Sequence, residues 1–309
     1  MRPLIAVEAR RYTSRRLVRV LMALAVLGIV IGATVMFFRS QRLTPAQTRA
    51  EVQAAQIRHR QQIQRCSAGE FGIPPSQIPP GKTLPQFCQD IAGRPQIQDK
   101  AFHLTDLRAA SLGVSHVLIA LFLLLGASFI GAEWHAGTMT TLLTWEPRRV
   151  RVLAAKVGVA AAMAFAGTIF LLLILGLALV PVATLHGTTV GADATWLRGL
   201  MGLALRAGAT AAIAATLGGA LASIGRNTAA ALGVAFGYLA ILEPLLRGLR
   251  PGWSSWLVAN NVGTFVEGTR NLNEGFASRS PIAAGVLVGI YTIGLAVIAA
   301  SMFRARDVT

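Results

Sequence analysis

Charge is scarce in this chain: 14% of its 309 residues are Asp, Glu, Lys or Arg, against roughly 25% in ordinary soluble domains. Acidic residues are scarcer still, at 13 against 29 Lys and Arg. A water-facing globule of this length would need more charge on its surface, so that class is excluded. No G-x-x-x-x-G-K-[ST] phosphate loop occurs, which excludes ATP hydrolysis by that route. Neither a G-x-S-x-G nucleophile elbow nor an H-E-x-x-H zinc helix is present. His59, His103, His116, His135 and His186 are scattered over different loops and faces, so no metal site is expected. No full-length internal repeat is evident.

What the chain has instead is apolar residue, at 54% hydrophobic, gathered into six blocks of about 20, the length of a membrane span. The spans read as about Leu17–Phe38, Leu112–Ala132, Val152–Pro181, Ala207–Ile224, Ala229–Leu242 continuing toward Arg247, and Ile282–Phe303. The fold class is therefore an all-α, six-span membrane bundle. The third block exceeds what a bilayer needs, so its inner end extends into water or the span tilts. Before the fourth, Trp196 to Arg206 reads as a separate interfacial helix that keeps Arg206 at the outer water boundary. Glu243-Pro244 reads as an interruption of the fifth. Gly28 and Gly32, Gly233 and Gly237, and Gly285 and Gly289 are spaced for close helix approach, and Gly208, Ala212, Gly218, Gly219 and Ala222 make a small-residue face.

The net charge of +16 sits at span ends. Arg2, Arg10, Arg11, Arg15, Arg16 and Arg19 precede or open the first span, and Arg226, Arg304 and Arg306 border later ones. This is positive-inside bias and attraction to anionic headgroups, and nucleic acid is not an expected partner. Residues 1–16 predict a cytoplasmic interfacial helix. The run from Leu17 to Phe38 is too long for a signal h-region and no cleavage site follows, so it reads as a retained anchor. Residues 305–309 form a cytoplasmic tail.

Residues 39–111 are the one sizeable aqueous segment, an extracytoplasmic cap carrying ten Lys or Arg and five Asp or Glu. Thr44-Pro45 is a helix start, and a stalk helix should run to about Gln64. Pro74, Pro75, Pro79, Pro80 and Pro85 predict irregular chain, and Phe102 to Leu112 a helix. Cys66 and Cys88, the only cysteines, favour a disulfide worth roughly 3 kcal/mol in an oxidising compartment; two free thiols are the alternative.

The stretch from Glu133 to Lys156 lies between the second and third spans. Trp134, Thr138, Thr141 or Leu142 and Trp145 recur at steps of three and four, predicting a helix over residues 134–145 with one apolar and aromatic side. Pro147 ends it, and Arg148, Arg149, Arg151 and Lys156 follow. Glu133 and His135 cannot share a helix face, so Glu133 reads as capping or orienting the inner helix rather than as a catalytic group. Arg206 and Glu243, the charges nearest the membrane interior, pair or line an outer vestibule, or else each meets headgroup water independently. Residues 250–281, with Trp253, Trp256 and Phe265, read as short helices dipping into the outer interface.

The pattern E-x-x-x-G-T-x-x-x-L-L, here Glu133, Gly137, Thr138, Leu142 and Leu143, followed by Pro147 and an Arg cluster, resembles the cytoplasmic loop of type-2 ABC transporter permeases. RNTAAALGVAFGYLAILEPLL, Arg226 to Leu246, is similar to their fourth-to-fifth span junction. The resemblance covers residues 1–38 and 112–304. It implies a permease that works with a second permease copy or a homologous one, docked on ATP-binding cassette ATPase subunits that carry Mg-ATP; this chain itself would hold no cofactor. It further implies that residues 134–145, with Glu133, Pro147, Arg148 and Arg149, form the coupling helix, that residues 250–281 form outer re-entrant helices, and that substrate passes between permease halves past the first, second and fifth spans. Export of a lipid-like or amphipathic drug-like molecule across a bacterial cytoplasmic membrane, with both termini inside, is the expected function. The alternative is a membrane scaffold or sensor whose outer segment binds a ligand and whose inner helix signals to a cytoplasmic partner.

Overall fold

A computed structural model describes residues 2–42, 44–72, 78, 81–93, 95, 101–145, 148–269 and 279–305. Twelve α-helices follow one another among them: α1 Arg2–Ser14, α2 Arg16–Arg39, α3 Pro45–Ser67, α4 Leu84–Ala92, α5 Leu107–His135, α6 Thr138–Trp145, α7 Arg149–Pro181, α8 Ala194–Gly225, α9 Thr228–Phe236, α10 Glu243–Leu249, α11 Val258–Glu267 and α12 Pro281–Ala305. Six continuous helical stretches are long and apolar enough to cross a membrane: α2, α5 with its leading turn, α7 with its trailing turn, α8, α9 through α10, and α12. The chain is a multi-pass membrane protein by that measure.

The bundle is built on α8, which packs along α5, α7, α9 and α12. The reason is its small-residue face. At Gly126 of α5 an added Cβ would run into the backbone of Ala215, and at Gly218 of α8 into the carbonyl of Leu123. Gly219 lies against Ile130, and Gly131 against Thr228. Backbone-to-backbone approach of this kind supplies packing that lipid tails cannot. Gly28, Gly32, Gly233, Gly237 and Gly289 have open space where a Cβ would go, whereas Gly285 meets the ring of Phe265. The expected close-approach spacing thus serves packing within the chain chiefly along α5 and α8.

Three sequence expectations change. The fourth span is one 32-residue helix from Ala194, with no break at Arg206. Asp193 caps it by accepting from Trp196 N, and no proline follows to stop it. The fifth helix is not interrupted at Glu243-Pro244. It widens into a π turn over Gly237–Leu242, which contains Ala240, the residue whose carbonyl the Pro244 ring would otherwise strike. Pro85 does not make irregular chain either. It occupies the first turn of α4, where its missing N–H costs nothing, while Gln86 Oε1 accepts from Thr83 N at 3.0 Å.

The stalk helix appears as α3, capped by Thr44, whose hydroxyl accepts from Gln47 N. It packs on α4, and Cys66 and Cys88 lie at disulfide distance, their Cα atoms 5.8 Å apart. Pro74, Pro75, Pro79 and Pro80 fall outside the described residues. On the side of the bundle from which α3 leads off, Ser40 Oγ donates to the carbonyl of His186 and accepts from Phe102 N. Arg42 adds bonds to the carbonyls of Thr184 and Gly187. These contacts tie the end of α2 to the turn after α7 and to the approach to α5. Before α5 the expected helix over Phe102 to Leu112 begins as a 3₁₀ turn at Leu104–Asp106.

Replacing Gly218 by Val should separate α5 from α8 and lower the melting temperature of the purified protein well below that of a Gly233→Val control, whose site is open. Equal melting temperatures would contradict the crossing.

Candidate functional site

The opposite face of the bundle carries α1, the turn from α5 to α7, and the short turn Gly225 to Asn227 between α8 and α9. Its centre is Lys156, one of the largest side chains with no exposure at all (0%). A lone ammonium in such a place would be prohibitively costly, and it is tolerated because carboxylates meet it. Its Nζ lies 2.7 Å from Glu8 Oε2 of α1 and 2.6 Å from Glu133 Oε2 of α5. The first contact is an aligned hydrogen bond; the second is an ion pair without that alignment. Glu8 is likewise fully buried (0%). The other oxygen of Glu133 accepts from Arg15 at 3.1 Å, and Arg15 also donates to the carbonyl of Ser128 at 3.0 Å. Both cations sit against the Phe129 ring, at 4.8 Å for Arg15 and 5.2 Å for Lys156. Such contacts strengthen where water is excluded.

Tyr12 closes the cluster, its ring edge-on to Phe129 at 5.1 Å. Burial pushes its hydroxyl above the ordinary tyrosine range, opposed by the neighbouring Arg15. Four elements are joined here: α1 through Glu8 and Tyr12, the α1–α2 junction through Arg15, α5 through Phe129 and Glu133, and α7 through Lys156. Lys156 therefore belongs to this buried network and not with Arg148, Arg149 and Arg151 at the head of the third span, none of which is buried. Glu133 orients α1 and α7 rather than capping α6. The sequence separation of 148 between Lys156 and Glu8 hid the pairing, since each charge by itself looks like a span-boundary residue.

The helix after the second span begins later than residue 134. The α5 helix runs on through Trp134 and His135, and the chain turns at Gly137, whose φ of 67° needs glycine. Trp134 faces inward, edge-on to Phe303 at 5.7 Å with the Arg226 guanidinium 4.9 Å from its ring centroid. Among the described side chains of α6, Met139 is the buried one, at 1% exposure. Thr138, Thr141 and Thr144 are exposed and Leu142 half-buried. The side chains of Leu143 and Trp145, and all of Pro147, lie outside the described residues. Arg148 is the N-terminal flank of α7, and Arg149 is its first residue.

Arg206 and Glu243 do not pair with each other among the described residues. They hold opposite ends of α11. Glu243, 1% exposed, accepts from Ala259 N at 2.9 Å and Asn260 N at 3.2 Å, and Tyr238 accepts from Val258 N at 3.4 Å. Leu257 offers no side-chain cap, so a carboxylate from the fifth span takes that place and also complements the helix dipole. At the far end Arg206 donates to the Val266 carbonyl at 3.3 Å and Arg108 to that of Glu267 at 3.2 Å. Of residues 250–281, then, a 3₁₀ turn at Pro251–Trp256 and α11 are short helices as expected, and residues 270–278 lie outside the described set.

Among the described residues no group of three His, Cys, Asp or Glu is placed to hold a metal. The charged groups at the Lys156 cluster neutralise one another, an arrangement suited to mechanical connection. No family model, curated protein or solved structure matches the chain.

Lys156→Met would take the buried cation from both carboxylates, leaving Glu8 with Arg11 and Glu133 with Arg15 alone, and should cost about 3–5 kcal/mol. Thermal unfolding of the purified protein should show a large drop, against a small one for Arg11→Ala, whose side chain is 48% exposed. Similar small drops for both would contradict the buried network.

Proposed function

We propose that this chain is the membrane-spanning permease subunit of an ATP-driven transporter of the type-2 ABC kind, driven through α6 by a separate ATPase. The observation that carries the reading is the attachment of α6. It hangs from α5 at the glycine hinge Gly137, and Glu133, four residues before that hinge, is bound to Arg15 and Lys156. A push on the exposed threonine side of α6 would thus reach α1 and α7 without passing through a soft loop. With the Arg-rich face in the cytoplasm, as positive-inside bias favours, α6 is where a cytoplasmic engine would act. ATP binding would shift the bundle between states by contacting α6 differently in each.

The spans α2 and α9–α10 support a two-permease path. Only 11% of the apolar window of each is buried within the chain, which leaves Leu24, Leu27 and Ile31 on one and Val234, Leu239 and Ile241 on the other facing outward. A second permease copy or a homologous one would meet the α9–α10 face and the end of α2 beyond Ile31, where Val35 and Phe38 are exposed, with substrate passing between. A cavity of about 630 Å³ between α5, α8, α9, α11 and α12 is lined by aliphatic side chains together with His116, Tyr238, Trp256 and Tyr291. Apolar walls with a few polar handles suit an amphipathic or lipid-like molecule better than a small ion. The disulfide-pinned cap would shield the exit side.

The test uses the tagged full chain, purified gently from its native membrane. A Walker-motif ATPase should co-purify, and Leu142→Glu should abolish that association and transport while membrane insertion stays normal. Gly137 is a poorer probe, because any side chain there strains the turn. Recovery of a kinase or regulator instead would favour the sensor reading, and transport undiminished in Leu142→Glu would refute coupling through α6.

A further inference from the structure

A cavity of about 880 Å³ opens between the end of α1, the start of α2, the end of α5 and α6. Its polar wall carries Arg11, Arg15 and Arg16, and its single carboxylate, Glu133, is already matched by Arg15 and Lys156. The cavity is therefore cationic in surplus. Arg16 makes no ion pair or hydrogen bond among the described residues, and Arg11 is held only by a 3.3 Å contact to Glu8. Guanidinium groups in this state are the usual fork for a phosphodiester.

The rest of the wall is uncharged, with Leu17, Ala132, Ala136 and Leu142 beside the hydroxyl residues Ser128, Thr138 and Thr141. Leu17 is also the lowest member of a series, Leu17, Val20, Leu24, Leu27 and Ile31, that shares one face of α2 and is exposed by 42% to 54% at every position. Fourteen residues of helix rise roughly 21 Å, more than the ~15 Å of hydrocarbon in one leaflet. A cationic cup at the point where α1 turns into α2, continued by an acyl-length apolar track, matches a molecule with an anionic head and long apolar tails.

We infer that this cavity is a binding site for an anionic phospholipid of the leaflet at the N-terminal face, its phosphate on Arg11 and Arg16 and one chain along α2. A free phosphate or nucleotide would use the arginines but leave the track empty. Because Thr138, Thr141 and Leu142 of α6 line the same cavity, an occupant touches the helix that the proposed ATPase would move. The lipid site does not depend on that proposal, since its ligand and residues lie wholly on this chain and in the bilayer.

The experiment uses the purified full-length chain without any ATPase. Melting temperature and native mass spectrometry are followed on adding phosphatidylglycerol, phosphatidylcholine or inorganic phosphate. Phosphatidylglycerol should raise the melting temperature and remain bound, and the other two should not. Arg16→Gln should weaken phosphatidylglycerol retention about fivefold, with Arg16→Lys intermediate, since each cation near an anionic headgroup contributes about one such factor. Leu24→Asn, on the track, should weaken it without touching the phosphate. Equal retention of phosphatidylcholine, equal stabilisation by inorganic phosphate, or full phosphatidylglycerol retention in Arg16→Gln would each overturn the assignment. A variant that fails to fold is replaced by Arg11→Gln, which carries the same expectation.

Discussion

The burial of one ammonium between two carboxylates is the constraint around which the N-terminal face is arranged. Lys156 sits without solvent contact and is compensated by Glu8 and Glu133. Because each carboxylate comes from a different helix, satisfying one charge docks α1 on the second and third candidate spans. An apolar core of similar volume would hold such helices together with less directional demand. A charge cluster instead requires particular partners at particular places, and that is what a mechanical link between separate elements needs.

The other organising contact is apolar and backbone-deep. Where α5 crosses α8 the glycines at 126 and 218 let main chains touch, and that seam fixes the middle of the bundle while α2 and α9–α10 stay at its periphery. The molecule thus has a tightly packed spine and two open flanks. Away from the charge cluster, α11 is held by a carboxylate at its N-terminus and by two guanidinium groups at its C-terminus. Charges near the apolar core are in each case anchored to backbone dipoles or to an opposite charge, as a low-dielectric setting demands.

Much of the architecture was legible in the sequence because a membrane span is a one-dimensional signal: about 20 apolar residues in a row suffice to mark it. All six were found, though α8 proved longer than its expected span, since Trp196 to Arg206 contains nothing that stops a helix. The two cysteines were legible by isolation. The charge cluster was not, because Glu8, Glu133 and Lys156 are far apart in the chain and pairing depends on how the helices pack. The true start of α6 was hidden by periodicity: Trp134 shares the spacing of the helix that follows, and Gly137 had to be seen with positive φ before the boundary moved. Arg206 and Glu243 were rightly singled out as unusual charges, but what satisfies them is the main chain of α11, for which side-chain pairing rules give no warning.

The central claim is that the ion cluster makes α1 and the end of α5 move as one body. Distances between spin labels on Val7 of α1 and Thr141 of α6, both exposed, measure this directly by double electron–electron resonance. Glu8→Gln releases α1 from Lys156 and leaves the Lys156–Glu133 pair in place. The distribution should be narrow in the unaltered chain and broad in Glu8→Gln, while labels at Val117 and Leu205 on α5 and α8 stay narrow in both. A Val7–Thr141 distribution that remains equally narrow in Glu8→Gln would contradict the account.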